Sequence, residues 1–359
     1  MKSNAYRVGA VAVLAGALPL GVGVAARPSR HAAARPHLYH VTIGVNAPYS
    51  LLAVNEFLPG RLTIHAGDSV QWTNANGSEP QTVTFGPPEY TPSLILSATN
   101  PEINPAIAKS QGGRVVADTG SIHSSGALMS GVRGLGLSYT YTFPHTGTYF
   151  YRSLFHPLTL GEIDVVSSNK TASGDPPDRG DSAVTALRSV ARVLIDQQTA
   201  DASGANNGGE SVEVGFGNKD VSLNIFAPAG IVIPVGSTVT WENRETSGDP
   251  HVVVLSGEGG SAAISAGAPM YTGRAADGGL TLNPSYATPT LPSGTQVMTG
   301  TLPSGKLISS GILYGSSPAY PSNVPSKYTV TFMIPGQYDY VDPFHGNGTP
   351  GRIHVVAAP

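Results

Sequence analysis

The chain contains no cysteine, which removes disulfides, thiolate metal ligands, iron–sulfur clusters, covalent haem attachment and a cysteine nucleophile together. Its chemistry therefore runs on nitrogen and oxygen, with methionine thioethers as the only sulfur. Charge is also scarce. Asp, Glu, Lys and Arg make up 12% of 359 residues, about half the usual quarter, and the formal net charge of −3 is spread without any block of one sign. Nothing here marks a nucleic-acid partner. Hydrophobic residues still account for 40% of the chain, so it can bury a core and is not a disordered polyelectrolyte. Beyond the N-terminal stretch no segment is long and apolar enough to span a membrane.

What is abundant is turn chemistry. With 44 glycines and 30 prolines, about a fifth of the chain is turn-forming, which favours short strands over long helices. The first 26 residues have an export layout: Lys2 and Arg7, an uncharged stretch from Val8 to Ala26, and small residues at Val24-Ala25-Ala26 before Arg27. Pro19 and the Gly21/Gly23 pair weaken this stretch as a spanning helix. The expectation is a cleaved signal peptide over 1–26 and an extracytoplasmic protein, secreted, periplasmic or at the cell surface; only an uncleaved segment would tie it to the membrane.

The rest is written twice. Residues 38–73, ending Leu62-Thr63-Ile64-His65-Ala66-Gly67-Asp68-Ser69-Val70-Gln71-Trp72-Thr73, match 210–242, ending Ile231-Val232-Ile233-Pro234-Val235-Gly236-Ser237-Thr238-Val239-Thr240-Trp241-Glu242. Trp72 and Trp241 are the only tryptophans. Ser124-Ser125-Gly126-Ala127-Leu128 parallels Ser309-Ser310-Gly311-Ile312-Leu313, and the stretch from Ser138 to His156 parallels Lys327 to His345. Blocks recurring in one order at domain length mean duplication.

Within each copy, apolar residues alternate over short runs: Leu62/Ile64, Val70/Trp72, Val83/Phe85, Tyr139/Tyr141/Phe143, Tyr149/Tyr151 and Ile163/Val165. Period-two runs bounded by Gly and Pro are half-buried strands, and this many indicate an all-β, antiparallel Greek-key sandwich per copy. The expected layout is domain 1 over 37–167, a linker over 168–208, and domain 2 over 209–357. In the linker, Ala183, Leu187, Val190, Ala191 and Leu194 fall at helical spacing behind Ser182, which predicts one α-helix over about 182–198. The Ser/Gly/Pro/Ala-rich insertions 86–123 and 256–308 read as surface loops.

The blocks Phe57-x-Pro59 through Trp72-Thr73-Asn74, Pro80-x-Thr82-Val83-Thr84-Phe85, Ser125-Gly126-x-Leu128, and Tyr141-Thr142-Phe143 through His156-Pro157 together resemble the plastocyanin/azurin family of cupredoxins, blue-copper domains, across most of both copies. The resemblance implies a copper site at one end of each sandwich, held by a His after the Trp strand, a Cys and a His on the last loop, and a weak axial Met. In the first copy these positions read Gln81, Ser153, His156 and Thr159. One ligand survives, too few for a transition metal, so no cofactor is expected there. In the second copy they read His251, Asp342, His345 and Thr349, leaving two imidazoles and a carboxylate with Thr349 in the weak axial place.

Without a thiolate, blue-copper electron transfer is chemically closed to this chain. Two His and an Asp remain a competent set for a divalent ion, copper ahead of zinc by affinity order. The other reading leaves Asp342 and His345 capping the last loop by hydrogen bonds, with His251 buried. His31, His37, His40, His65, His123, His145 and His354 carry no chemistry in either reading. The chain lacks the paired His-x-His segments that two-domain multicopper oxidases and nitrite reductases need, and it has no Gly-x-Ser-x-Gly elbow, phosphate loop or dinucleotide fingerprint. Asp339 and Asp342 sit at odd spacing on a strand end, which sends them to opposite faces. The expectation is a non-enzymatic, exported metal-binding protein that holds or delivers copper, served by a metal donor or acceptor protein. Its rival is a metal-free scaffold that meets a cell-surface partner through its loops.

Overall fold

In the computed structural model the described residues are 35–44, 52–96, 101–173, 210–217, 221–257, 260, 264, 269–291, 295–298, 307–316, 324–345 and 350–357. The expected signal peptide over 1–26 and the helix over 182–198 lie outside them. Among the described residues no helix is long and apolar enough to cross a membrane.

The alternation in the sequence becomes alternation of burial. Ser69–Asn74 and Leu160–Val166 each bury every second residue, so one face of each strand is apolar and must be covered by a second sheet. The first copy supplies a four-stranded sheet, in the order Phe57–Leu58, Leu38–Ile43, Ser69–Asn74, Ser138–Thr142. It faces a five-stranded sheet in the order Arg61–His65, Leu160–Val166, Gly147–Arg152, Thr84–Phe85, His123–Ser124. The second copy supplies five strands of a six-stranded sheet, among them Glu210–Gly217, Thr238–Glu242 and Lys327–Phe332, and a five-stranded sheet containing Gly230–Pro234, Gly351–Val356, Gly336–Val341, His251–Gly257 and Ile308–Leu313. Register repeats between the copies. Trp72 lies between Val41 and Tyr139, and Trp241 between Val212 and Tyr328. Each tryptophan is fully buried at the centre of its own aromatic core.

The sheets are mixed rather than antiparallel throughout. Leu38–Ile43 runs parallel to Ser69–Asn74, and Arg61–His65 parallel to Leu160–Val166. The reason is local. The turn after His65, with Gly67 at φ 95, does not close a hairpin; it carries the chain across to the opposite sheet. Asp68 fastens that turn, its carboxylate accepting from His65 N at 2.9 Å and from His37 N at 2.7 Å.

A larger correction concerns the two insertions. They are not simply surface loops, because parts of both build a third core shared by the copies. Ile103, Ile107 and Phe155 of the first copy pack in one buried cluster with Leu280, Leu282, Tyr286 and Phe344 of the second. Glu102–Ile103 pairs antiparallel with Leu280–Leu282, with Glu102 opposite Thr281 and Ile103 opposite Leu280. Each of these strands runs into a four-residue helix, Pro105–Ala108 or Pro284–Ala287, whose N-cap is Asn104 or Asn283. Equivalent segments thus meet about a local twofold centred on the Glu102–Thr281 pair. The first-copy strand Leu52–Val54 adds a second tie, pairing with Val221–Ala227 as the sixth strand of the six-stranded sheet.

A shared core should couple the two copies into one cooperative unit. Unfolding by urea should therefore give coincident transitions for Trp72 and Trp241, read separately in Trp241→Phe and Trp72→Phe chains. Leu280→Ala, which opens the shared core, should lower both together by about 2–5 kcal/mol; a shift confined to Trp241 would show the copies folding apart.

Candidate metal centre

Two sequence blocks prepare the site before any ligand is placed. Asn243, just past the Trp241 strand, donates from Nδ2 to Asp249 O and Leu313 O, both at 3.0 Å, and accepts from Glu245 N at 3.0 Å. Asn74 makes the matching donations in the first copy, at 2.7 Å to Glu79 O and Leu128 O. The repeated Ser-Ser-Gly block works as a buckle. Ser310 Oγ accepts from Val253 N at 2.9 Å, and Ser125 Oγ from Val83 N at 2.9 Å. Gly311 at φ 67 is required there, because a Cβ would come within 2.6 Å of the Pro289 ring.

These fastenings bring His251, Asp342 and His345 together. His251 opens the strand His251–Gly257, Asp342 follows Gly336–Val341, and His345 ends the short 3-10 turn Pro343–His345. Asp342 turns inward because Oδ1 accepts from Val252 N at 3.2 Å and Phe344 N at 3.0 Å. Its Oδ2 then lies 2.6 Å from His251 Nδ1 and 2.8 Å from His345 Nδ1. The donor atoms of the three residues all fall within 4.8 Å of one another, and all three side chains are buried. Thr349, the axial position, lies outside the described residues.

Sequence reasoning missed a fourth member. Glu245 Oε2 sits 2.8 Å from His251 Nε2, and Ser222 Oγ donates to its other oxygen. Glu245 has no counterpart among the family's ligand positions; its only signal is its place two residues past Asn243. Space for it comes from the irregular strand Glu210–Gly217, whose register shifts between Val214 and Phe216. A Cβ on Gly215, at φ 77, would collide with His251 Nε2.

His251 therefore stands between two carboxylates, and an imidazole so placed must donate from both nitrogens or hold an ion at one of them. Burial alone would depress its pKa, but hydrogen bonds and charge from Asp342 and Glu245 outweigh that and push it up to about 10. For His345, burial is likewise offset by the Asp342 charge, and the net shift is upward. Asp342, despite burial, is held well below the usual carboxylate range by the charge of His345 and the bonds from both histidines.

In the first copy the equivalent positions form no ligand set. Gln81 is buried and bridges to Leu128 through backbone. Ser153 Oγ accepts from Thr82 N at 3.3 Å and His156 N at 3.4 Å, and Thr159 Oγ1 donates to Asn55 O at 2.9 Å. His156 turns instead to the second copy, with Nε2 2.8 Å from Asp249 Oδ1. Of the remaining histidines, His354 is exposed, His65 is half-buried with Nε2 2.9 Å from Lys170 O, and His123 is buried edge-on to Tyr141. Asp339 is buried and separate from Asp342, receiving Arg352 Nε at 2.7 Å.

Two metal types can be weighed against this donor set. Blue copper does not fit, since no thiolate exists in the chain. A non-blue divalent ion does: two imidazole Nδ1 atoms and a carboxylate oxygen converge, and Glu245 holds the far nitrogen of His251 as outer carboxylates hold metal-bound histidines.

Comparison with solved structures finds amicyanins. Amicyanin from Paracoccus versutus (Thiobacillus versutus) is 18% identical, over 36% of this chain and 81% of that chain, with a TM-score of 0.22. A Cu(I) form of an amicyanin mutant is 19% identical, over 36% of this chain and 82% of that chain, with a TM-score of 0.21. No family model matches the sequence, and no curated protein matches it. The all-β sandwich architecture is read from the strands themselves, and the site from its own atoms.

The charge pattern gives a signed pH dependence for chelator-washed protein. His251, raised from 6.5 to about 10, contributes stability that is complete below pH 6.5 and lost as pH climbs through 10. Asp342, depressed from 3.8, contributes stability present above that value and lost on acidification. Melting temperature should be highest between about pH 4 and 6.5 and fall steadily toward 10. A profile flat from 6.5 to 10 would show that His251 is not doubly protonated in the fold.

Proposed function

We propose that the second copy binds a divalent metal ion, copper(II) ahead of zinc, through His251, Asp342 and His345, and that the chain is an exported, cupredoxin-like protein that holds or hands on that ion without blue-copper electron transfer. The observation that carries this reading is the convergence of both Nδ1 atoms on Asp342 Oδ2, at 2.6 and 2.8 Å. The same atom of each imidazole faces one point, and Glu245 secures the opposite nitrogen of His251. Imidazole and carboxylate donors suit Cu(II) and Zn(II), and the affinity order favours copper. Export is supported by the charged, apolar, small-residue layout of residues 1–26. No reaction is assigned, and a metal donor or acceptor protein is the partner class this function calls for.

The test is copper loading followed by desalting, elemental analysis and electron paramagnetic resonance. One copper per chain with nitrogen hyperfine structure is expected. His251→Ala should abolish it, Asp342→Asn should weaken it by more than the 10–100-fold that loss of an outer partner costs, and Gln81→Ala should change nothing. Equal, weak binding by all variants would sink the proposal.

A second reading is favoured by the closeness of the cluster. At 2.6 and 2.8 Å the histidines already satisfy Asp342 by themselves, which supports a metal-free module that serves as an extracellular scaffold, meeting a cell-surface partner through its loops. The readings part on melting temperature. A ligand bound only by the native state raises stability by mass action, about 2.7 kcal/mol at a hundredfold excess over Kd; the scaffold reading requires no shift with copper.

A further inference from the structure

The two sandwiches meet at the ends that carry their loop histidines, and this meeting places a first-copy histidine in contact with the strand lead-in of the second. Asp249 is fully buried and is held from both copies. His156 Nε2 lies 2.8 Å from its Oδ1, and Asn55 Nδ2 donates to its Oδ2 at 3.3 Å. On its own side, Asp249 N donates to Ser247 Oγ at 3.1 Å and Asp249 O accepts from Asn243. Only Pro250, with its restricted φ, separates Asp249 from His251. A displacement of Asp249 is therefore passed directly to His251. The reciprocal contact joins Asn224 Nδ2 of the second copy to Glu79 Oε1 of the first at 3.1 Å, and Glu79 occupies the position before Pro80 that Asp249 occupies before Pro250.

Between these contacts lies a cavity of ≈ 20 Å³ whose walls include Glu79 and His156 from one copy and Pro250 and His345 from the other. Roughly 10–15 Å³ admits a water. His345 is the only one of the three candidate ligands on that wall. Most of the remaining wall is apolar, from Leu94, Ile103, Phe155 and Phe344, so the first copy covers this side of the second copy's donor cluster with a largely water-excluding surface.

We propose that His156, acting through Asp249, is a positioning residue for the donor cluster of the second copy, and that the first copy serves as its seal. This rests on the metal-binding reading above, and it assigns the first copy a role in a site to which it contributes no ligand. A buried ion pair between copies suits that task, because separating the partners leaves charge uncompensated.

The test uses the full chain with His156→Gln and, as a milder variant in case the first does not fold, Asn55→Ala. Two quantities are measured: the rate at which EDTA extracts Cu(II) from loaded protein, and amide hydrogen exchange in the metal-free chain. The expected result is extraction at least tenfold faster in His156→Gln and intermediate in Asn55→Ala, with faster exchange confined to 249–253 and 341–345. A merely structural loss would raise exchange throughout both sandwiches, and that result, or wild-type rates in both measurements, overturns the proposal. If the wild-type chain binds no copper, the metal-binding reading fails, and exchange alone decides the seal: local acceleration sustains it for the carboxylate–imidazole cluster, and unchanged exchange rejects it.

Discussion

A carboxylate taken out of water has to meet positive charge or dense hydrogen bonding, and Asp342 meets both. One oxygen is consumed by the amides of Val252 and Phe344, the other by two imidazoles. This requirement reaches outward through the molecule. It draws the last loop against the first residues of the His251 strand, and it brings in Glu245 as a second acceptor for His251. Glu245 in turn needs Gly215 and Gly217, since a Cβ on either would strike its carboxylate or the ring beside it. The irregular strand at Gly215 is thus explained by a charge several residues away in space rather than by the sheet it belongs to.

The same constraint operates between the copies. Asp249 and Glu79 are both buried carboxyl groups, yet they are compensated differently. Asp249 has His156 at 2.8 Å and is held well below the usual range; burial opposes this, but the charge of His156 prevails. Glu79 has an Asn amide at 3.1 Å, and burial pushes its pKa up, toward the neutral acid, against the opposing charge of His345. Three acidic side chains, Glu245, Asp249 and Asp342, then face three histidines, His156, His251 and His345, each carboxyl within 2.8 Å of an imidazole nitrogen. Local twofold symmetry at Glu102–Thr281 sets the frame, but its charges are distributed unequally, with the compensated cluster on the second copy's side.

Much of the fold was legible because alternation of apolar residues is a direct record of which face is buried. The Trp72 and Trp241 strands and the final strands are placed by pattern alone, whereas the Ser-Ser-Gly blocks show in the sequence only as a repeat. The crossing after His65 was not, since a short Gly-Asp turn reads the same whether it joins neighbours in one sheet or passes between two. The insertions misled for a related reason: Ile103, Ile107, Leu280 and Tyr286 are isolated among polar and small residues, and no periodicity marks an apolar residue whose cover comes from the other copy. Among site residues, His251, Asp342 and His345 could be found because they stand at positions the family resemblance marks. Glu245 and Asp249 could not, because an acidic residue in a polar loop carries no sign of burial until the partner that neutralises it is known.

The two copies carry unlike side chains at equivalent positions, and their different contacts follow from the size and charge of those side chains. Ser153 is small and neutral, so it settles against the backbone amides of Thr82 and His156 and makes no claim on the His156 ring. That leaves the imidazole free to reach Asp249. Asp342 in the same position is charged, and it binds His345 and His251 to itself. A hydroxyl in one copy and a carboxylate in the other is therefore enough to send equivalent histidines in different directions, one across the boundary between copies and one inward. On the metal-binding reading, a hard carboxylate oxygen beside two imidazoles suits divalent ions better than Cu(I), which favours holding an ion over cycling electrons through it.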